Sequence, residues 1–162
     1  MAEAHLLLGS NLGDRLKNLE KARDYLSKYV GTLKGVSQVF ITQPWGFECQ
    51  DMFYNQAVLI DTEYFPKELL LKLKNIEILM GRIKPRKDSY ASRIIDIDII
   101  FYEDFVIKHA PELVVPHPKM TERRFVLEPL SQLSPHKKHP LHKKTSKELL
   151  AECEDKNFVI RL

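Results

Sequence analysis

Arg93-Ile94-Ile95-Asp96-Ile97-Asp98-Ile99-Ile100-Phe101 carries the strongest structural signal in the chain. Ile95, Ile97 and Ile99 alternate with Asp96, Asp98 and Ile100, the period-two pattern of a strand with one apolar face. Residues two apart on a strand point the same way, so the two carboxylates stand side by side, roughly 7 Å apart. Acids on an isoleucine-rich strand are costly to bury unless a cation meets them. The preceding segment supplies cations, with Arg82, Lys84, Arg86, Lys87 and Arg93 in one loop-like run. The combination suggests a rigid carboxylate pair for Mg²⁺, with a cationic loop to hold phosphates over it. Taken alone, such a pair more often simply faces water on the solvated side of a sheet.

Working outward, residues 4–8 read as a short buried strand stopped by Gly9-Ser10-Asn11-Leu12-Gly13. A helix follows from about Asp14 to Val30, with Leu16, Leu19, Ala22, Leu26 and Val30 inward and Asn11 or Asp14 as cap. The glycine turn lacks the Gly-Lys-Ser/Thr ending of a Walker loop and reads as a plain turn. Val36–Thr42 and Phe53–Asp61 are the next strands. Between them lies a loop containing Pro44, Trp45, Gly46 and Phe47. Pro66 opens a second helix that runs to about Gly81, with Leu69, Leu70, Leu73, Ile76 and Met80 inward and Glu77 at the edge of that stripe. After the Asp-x-Asp strand come a short hairpin through Glu103-Asp104 and a proline-fixed extended segment at 113–118. A helix beginning near Thr121 or Arg124 and carrying Phe125, Leu127, Leu130 and Leu133, a short helix at 145–153 and a C-terminal edge strand complete the order. Strand, helix, strand, strand, helix, strand predicts an α/β chain of the α+β sandwich type: a ferredoxin-like antiparallel sheet with two helices on one face, plus C-terminal helices.

At 162 residues the chain fits one domain, 1–162, with room for a proper core. No apolar run approaches a membrane span, and the N-terminus lacks a signal-peptide pattern. Cys49 and Cys153 are too few and too far apart for a disulfide framework or a zinc site. These features predict a cytoplasmic protein. A net charge of +3 indicates neither a nucleic-acid nor a membrane partner. The tail 136–144 is rich in Lys and His and reads as a solvated connector.

Three other clusters carry candidate chemistry. Trp45, Phe47, Phe53 and Asn55 suit either loop packing or a flat heterocycle held between ring faces, with Asn55 reading its polar edge. His117 and Arg123 suit either a structural role or phosphate contact, with Phe125 a second aromatic wall. Arg82 and Arg93, at the two ends of the basic loop, are the cations nearest the carboxylates.

Together these segments resemble the 6-hydroxymethyl-7,8-dihydropterin pyrophosphokinase family. The resemblance rests on Leu8-Gly9-Ser10-Asn11-Leu12-Gly13-Asp14, Thr42-Gln43-Pro44-Trp45-Gly46 and Phe53-Tyr54-Asn55. It continues through Glu77 with Gly81-Arg82, Arg93 with Asp96-Ile97-Asp98, and the segment Val115-Pro116-His117 to Leu127. It implies transfer of the terminal diphosphate of ATP to the hydroxymethyl group of a reduced pterin, leaving AMP. It implies two Mg²⁺ ions held by Asp96 and Asp98, and catalytic roles for these two with Arg82 and Arg93. The pterin would lie between Phe53 and Phe125, read by Asn55 and by Thr42, Gln43, Pro44 and Trp45. Glu77, Arg82, Tyr90, Arg93, Ile99, His117 and Arg123 would contact ATP. The family's loop often carries a tryptophan where this chain has Tyr90, and Lys74 stands where some members carry an amide. The expected partners are small molecules, ATP and the pterin, acting on a monomer. The rival is a nucleic-acid-binding sheet, disfavoured because two acids on a central strand would repel a phosphate backbone.

Overall fold

The computed structural model describes residues 1–42, 52–81 and 93–162. Strand β1 (Ala2–Ser10) leads into helix α1 (Arg15–Tyr29), whose first turn is capped by Asp14 accepting from the Lys17 amide at 3.1 Å. Strands β2 (Gly31–Val36), β3 (Phe40–Thr42) and β4 (Phe53–Thr62) follow. Helix α2 (Pro66–Leu79) starts on a proline, at the position where a missing N–H costs nothing. It is closed by Gly81 at φ +94°, a left-handed conformation natural to glycine. Strand β5 (Asp96–Tyr102) carries the two acids. A small β6–β7 hairpin (Ile107–His109, Leu113–Val115), helices α3 (Arg124–Leu133) and α4 (Ser146–Glu152), and strand β8 (Val159–Arg161) complete the described elements.

The main sheet runs β5-β1-β4-β3-β8, with β2 also on β4, and every pairing is antiparallel. One face packs Leu6, Leu8, Ile60, Ile97 and Ile99 against Leu19 and Leu26 of α1 and Leu69, Leu73 and Ile76 of α2. The other packs Leu7, Ile100 and Phe101 against Val126, Leu127 and Leu130 of α3 and Leu149 of α4. The order of elements and the two-helix face agree with expectation.

Several expectations are corrected. The single strand expected at Val36–Thr42 is two, β2 and β3, and begins at Gly31. At the break the Ser37 hydroxyl accepts from Ala57 N at 2.9 Å, so a side chain takes over a ladder bond. Leu16, placed inward by periodicity, is exposed. β6 pairs with β7 rather than folding back on β5, and Leu113–Val115 is a strand rather than an extended loop. β5 is not central but stands at the edge of the sheet. The tail is less solvated than its composition implies, since His139 is buried edge-on to Phe101, with ring centroids 5.8 Å apart.

Candidate active site

The edge position of β5 organises the site. An edge strand presents alternate backbone groups with no strand partner, and here side elements take them. Glu77, buried on α2, accepts from the Ile97 amide at 3.1 Å, midway between the two aspartates. The His117 amide donates to the Ile100 carbonyl at 3.0 Å, which docks the segment after β7 on the same edge. Beyond the other end of the β1–β5 ladder, Asn11 N donates to Arg93 O at 3.0 Å, and Arg93 N donates to Asn11 Oδ1 at 2.6 Å. Arg93 is thereby pinned by its backbone, and its guanidinium donates to Asp96 Oδ2 at 3.1 Å.

A cavity of about 470 Å³ opens along this edge. It brings together Glu77, Arg93, Asp96, Asp98, Ile99, His117 and Arg123. These are all the described members of the expected carboxylate, phosphate and ATP sets. Lys74 on α2, to which the resemblance assigns no contact, also lines it, as do Pro111 and Glu112 at the β6–β7 turn, which were not foreseen. Arg123 lines the cavity and the adjacent Arg124 does not. Arg124 instead ties α3 to the C-terminal segment, donating to the carbonyls of Cys153 and Asp155 and to the Glu128 carboxylate. Arg82 and Tyr90, with Lys84, Arg86 and Lys87 of the basic loop, lie outside the described residues, as do Gln43, Pro44 and Trp45.

His117 is half-buried, and its pKa is lowered first by burial, then by Arg123 and Lys119, against an opposing pull from Asp96. Its Nδ1 accepts from the Lys119 amide at 3.3 Å. In the neutral ring the proton therefore sits on Nε2, which is a donor.

The residues expected to read a heterocycle lie one step across the same sheet face. In register, Asp96 of β5 faces Gly9 of β1, Gly9 faces Asn55 of β4, and Asn55 faces Phe40 of β3. Asn55 Nδ2 donates to Thr42 Oγ1 at 2.8 Å, and both residues are buried. This bond fixes the amide with its oxygen toward Gly9. Phe53 stands two residues along β4 on the same face. Phe125 is the second residue of α3, with the Arg123 guanidinium 5.6 Å from its ring centroid.

The donor set suits a hard cation. Mg²⁺ is commonly held by one or two carboxylates, with waters and substrate phosphates filling its other positions. Asp96 and Asp98 are half-exposed on one face beside the cavity. Among the described residues no three His, Cys, Asp or Glu side chains form a metal cluster, including the His-rich tail. A carboxylate pair, two arginines and an imidazole lining one cavity are the groups that an enzyme of the phosphate-transferring class requires.

Comparison with known proteins supplies the particular family. Residues 5–135 match the family described as 7,8-dihydro-6-hydroxymethylpterin-pyrophosphokinase. The chain is 39% identical over 158 residues to the 2-amino-4-hydroxy-6-hydroxymethyldihydropteridine pyrophosphokinase of Aquifex aeolicus, covering 98% of this chain and 96% of that protein. It is 41% identical to the Porphyromonas gingivalis enzyme of the same name, covering 83% of this chain and 92% of that one. Among solved structures, wild-type Plasmodium falciparum HPPK-DHPS superposes with a TM-score of 0.75 at 20% identity. That match covers 93% of this chain but 44% of the longer one, and it bears on the fold alone. The chain belongs to the 7,8-dihydro-6-hydroxymethylpterin-pyrophosphokinase family. Its activity is ATP-dependent transfer of diphosphate to hydroxymethyldihydropterin, a step of folate biosynthesis. The nucleic-acid-binding rival is not supported.

Proposed function

We propose that the β5 edge cavity is the ATP side of the active site and the Thr42–Asn55 side of the same sheet face is the pterin side. The observation that carries this reading is the meeting of Glu77, Arg93, Asp96, Asp98, His117 and Arg123, from α2, β5 and the segments flanking it, in one cavity. The hydroxymethyl oxygen attacks the β phosphorus of ATP, the bond to the α,β-bridging oxygen breaks, and AMP departs. Asp96 and Asp98 would hold two Mg²⁺ ions, which would neutralise phosphate charge there. Arg93 exchanges Asp96 for phosphate oxygens, and Arg82 joins it from the other end of the loop. His117 donates from Nε2 to the nucleotide and Arg123 contacts its phosphates. Glu77 and Ile99 shape the nucleotide side, and Tyr90 is expected to contact ATP.

On the pterin side, Phe53 and Phe125 sandwich the ring. Asn55 reads its edge with Thr42, Gln43, Pro44 and Trp45. Exclusion of water protects the diphosphate from hydrolysis. The core is ferredoxin-like, an assignment supported by the β5-β1-β4 order with β2 and β3 on the far side of β4. The enzyme is one domain over 1–162, acting as a monomer in the cytoplasm. Among the described residues no helix is long and apolar enough to cross a membrane.

Asp96→Ala and Asp98→Ala test the assignment. Each abolishes turnover while the melting temperature holds. A lost fold would return the pair to a structural role.

A further inference from the structure

Gly9 sits in the interior of β1, between two paired strands, where glycine weakens a strand. Its backbone does not require it. Gly13 and Gly81 have positive φ, and Gly9 does not. Nor does a neighbouring backbone press against it. A Cβ built at Gly9 would stand 3.0 Å from Asn55 Oδ1 and 3.8 Å from Phe53 Cδ1, both side-chain atoms. Glycine here leaves the Asn55 amide in place and keeps this strip of the sheet face bare, a position suited to close approach of a ligand.

The register gives the ligand's direction. Asp96 and Asn55 flank Gly9 on the same face, so their Cα atoms lie about 10 Å apart across a strip with no side chain. Asn55 is held by Thr42, so its oxygen cannot turn aside without breaking that bond. We propose that Gly9 is a specificity-determining position: its bare backbone is the floor over which the acceptor's one-carbon arm runs from the ring read by Asn55 to the phosphates beside Asp96. This deepens the reading of the site given above and rests on it.

Gly9→Ala tests the proposal, with two ligands measured separately. The probes are 6-hydroxymethylpterin and a non-transferable ATP analogue with Mg²⁺. The pterin's dissociation constant rises roughly 10-fold or more, as for one misplaced methyl in a fitted pocket, while the nucleotide's stays within about twofold. The variant melts within about 4 °C of the wild type, because the better strand propensity of alanine offsets the pressure of its Cβ on the Asn55 amide. Unchanged pterin affinity, equal weakening of both ligands, or a melting temperature lowered by more than about 4 °C would each overturn it. Wild-type turnover is measured alongside. An inactive wild type contradicts the activity itself, whereas an active one with unaffected Gly9→Ala binding contradicts the Gly9 proposal alone.

Discussion

Glu77 offers the most informative single perturbation. Its carboxylate accepts from Ile97 N at 3.1 Å and is almost fully buried. That amide faces outward from the edge strand and lies between Asp96 and Asp98, so it fixes both carboxylates through the backbone. Glu77→Ala leaves a buried N–H with no acceptor, at a cost of about 1–3 kcal/mol. The better helix propensity of alanine returns less than about 0.5 kcal/mol. Glu77→Gln keeps an oxygen at the same place and costs about 1 kcal/mol or less. Slack in the strand carries further in catalysis, since misplacing a reacting group by about 1 Å costs on the order of 100-fold in rate. Glu77→Ala therefore loses on the order of 100-fold in turnover with a smaller loss in nucleotide affinity, and Glu77→Gln stays within about 10-fold of wild type. Denaturant unfolding, steady-state turnover and titration with an ATP analogue supply the three readouts. If Glu77→Gln is as damaged in turnover as Glu77→Ala, the negative charge matters rather than the amide it holds, and the positioning argument fails.

Other predictions follow from the same geometry. Thr42→Val removes the oxygen that orients Asn55, weakening pterin binding by about 10-fold with nucleotide binding intact; equal affinity would show that the amide needs no such partner. Arg93→Ala depresses turnover more than ATP binding, and equal losses would make Arg93 a ground-state contact only. Its ion pair with Asp96 is part-exposed, so the variant's stability changes by about 1 kcal/mol or less. His5 is buried and its pKa is lowered to about 4, first by burial and then by Lys137. The unfolded chain therefore binds the extra proton between the unfolded value of 6.5 and about 4. Stability is full above the upper value and falls by up to about 3 kcal/mol as pH drops through that window. Denaturant titrations at pH 7, 5.5 and 4 detect it, and His5→Gln shows a shallower decline. An identical slope in both proteins would refute the burial account.

Much of the fold was legible because its signals are local. Alternation marked β5, Pro66 marked the start of α2, and Asp14 beside a 3.6-period stripe marked α1. What the sequence hid is tertiary. Nothing in Asp96-Ile97-Asp98 says that the strand stands at an edge, so neither its open Ile97 amide nor Glu77 as the acceptor was visible. Gly9 read as part of a turn because its meaning lies in the register that sets it between Asp96 and Asn55. Asn11 was a candidate cap until Asp14 took that role and left it to hold Arg93. His139 was hidden by its charged neighbours, yet its Nδ1 accepts the amides of Leu141 and His142 and its ring packs on Phe101. Arg123 and Arg124 are alike by type, and the extended backbone of Arg123 just ahead of α3 separates the one that lines the cavity from the one that ties down the C-terminal segment.

The most direct measurement follows the nucleotide product when the purified protein is given ATP, Mg²⁺ and 6-hydroxymethyl-7,8-dihydropterin. The account predicts AMP in one-to-one ratio with a pterin carrying two phosphates. ADP with a singly phosphorylated pterin, or no pterin-dependent turnover, would contradict it.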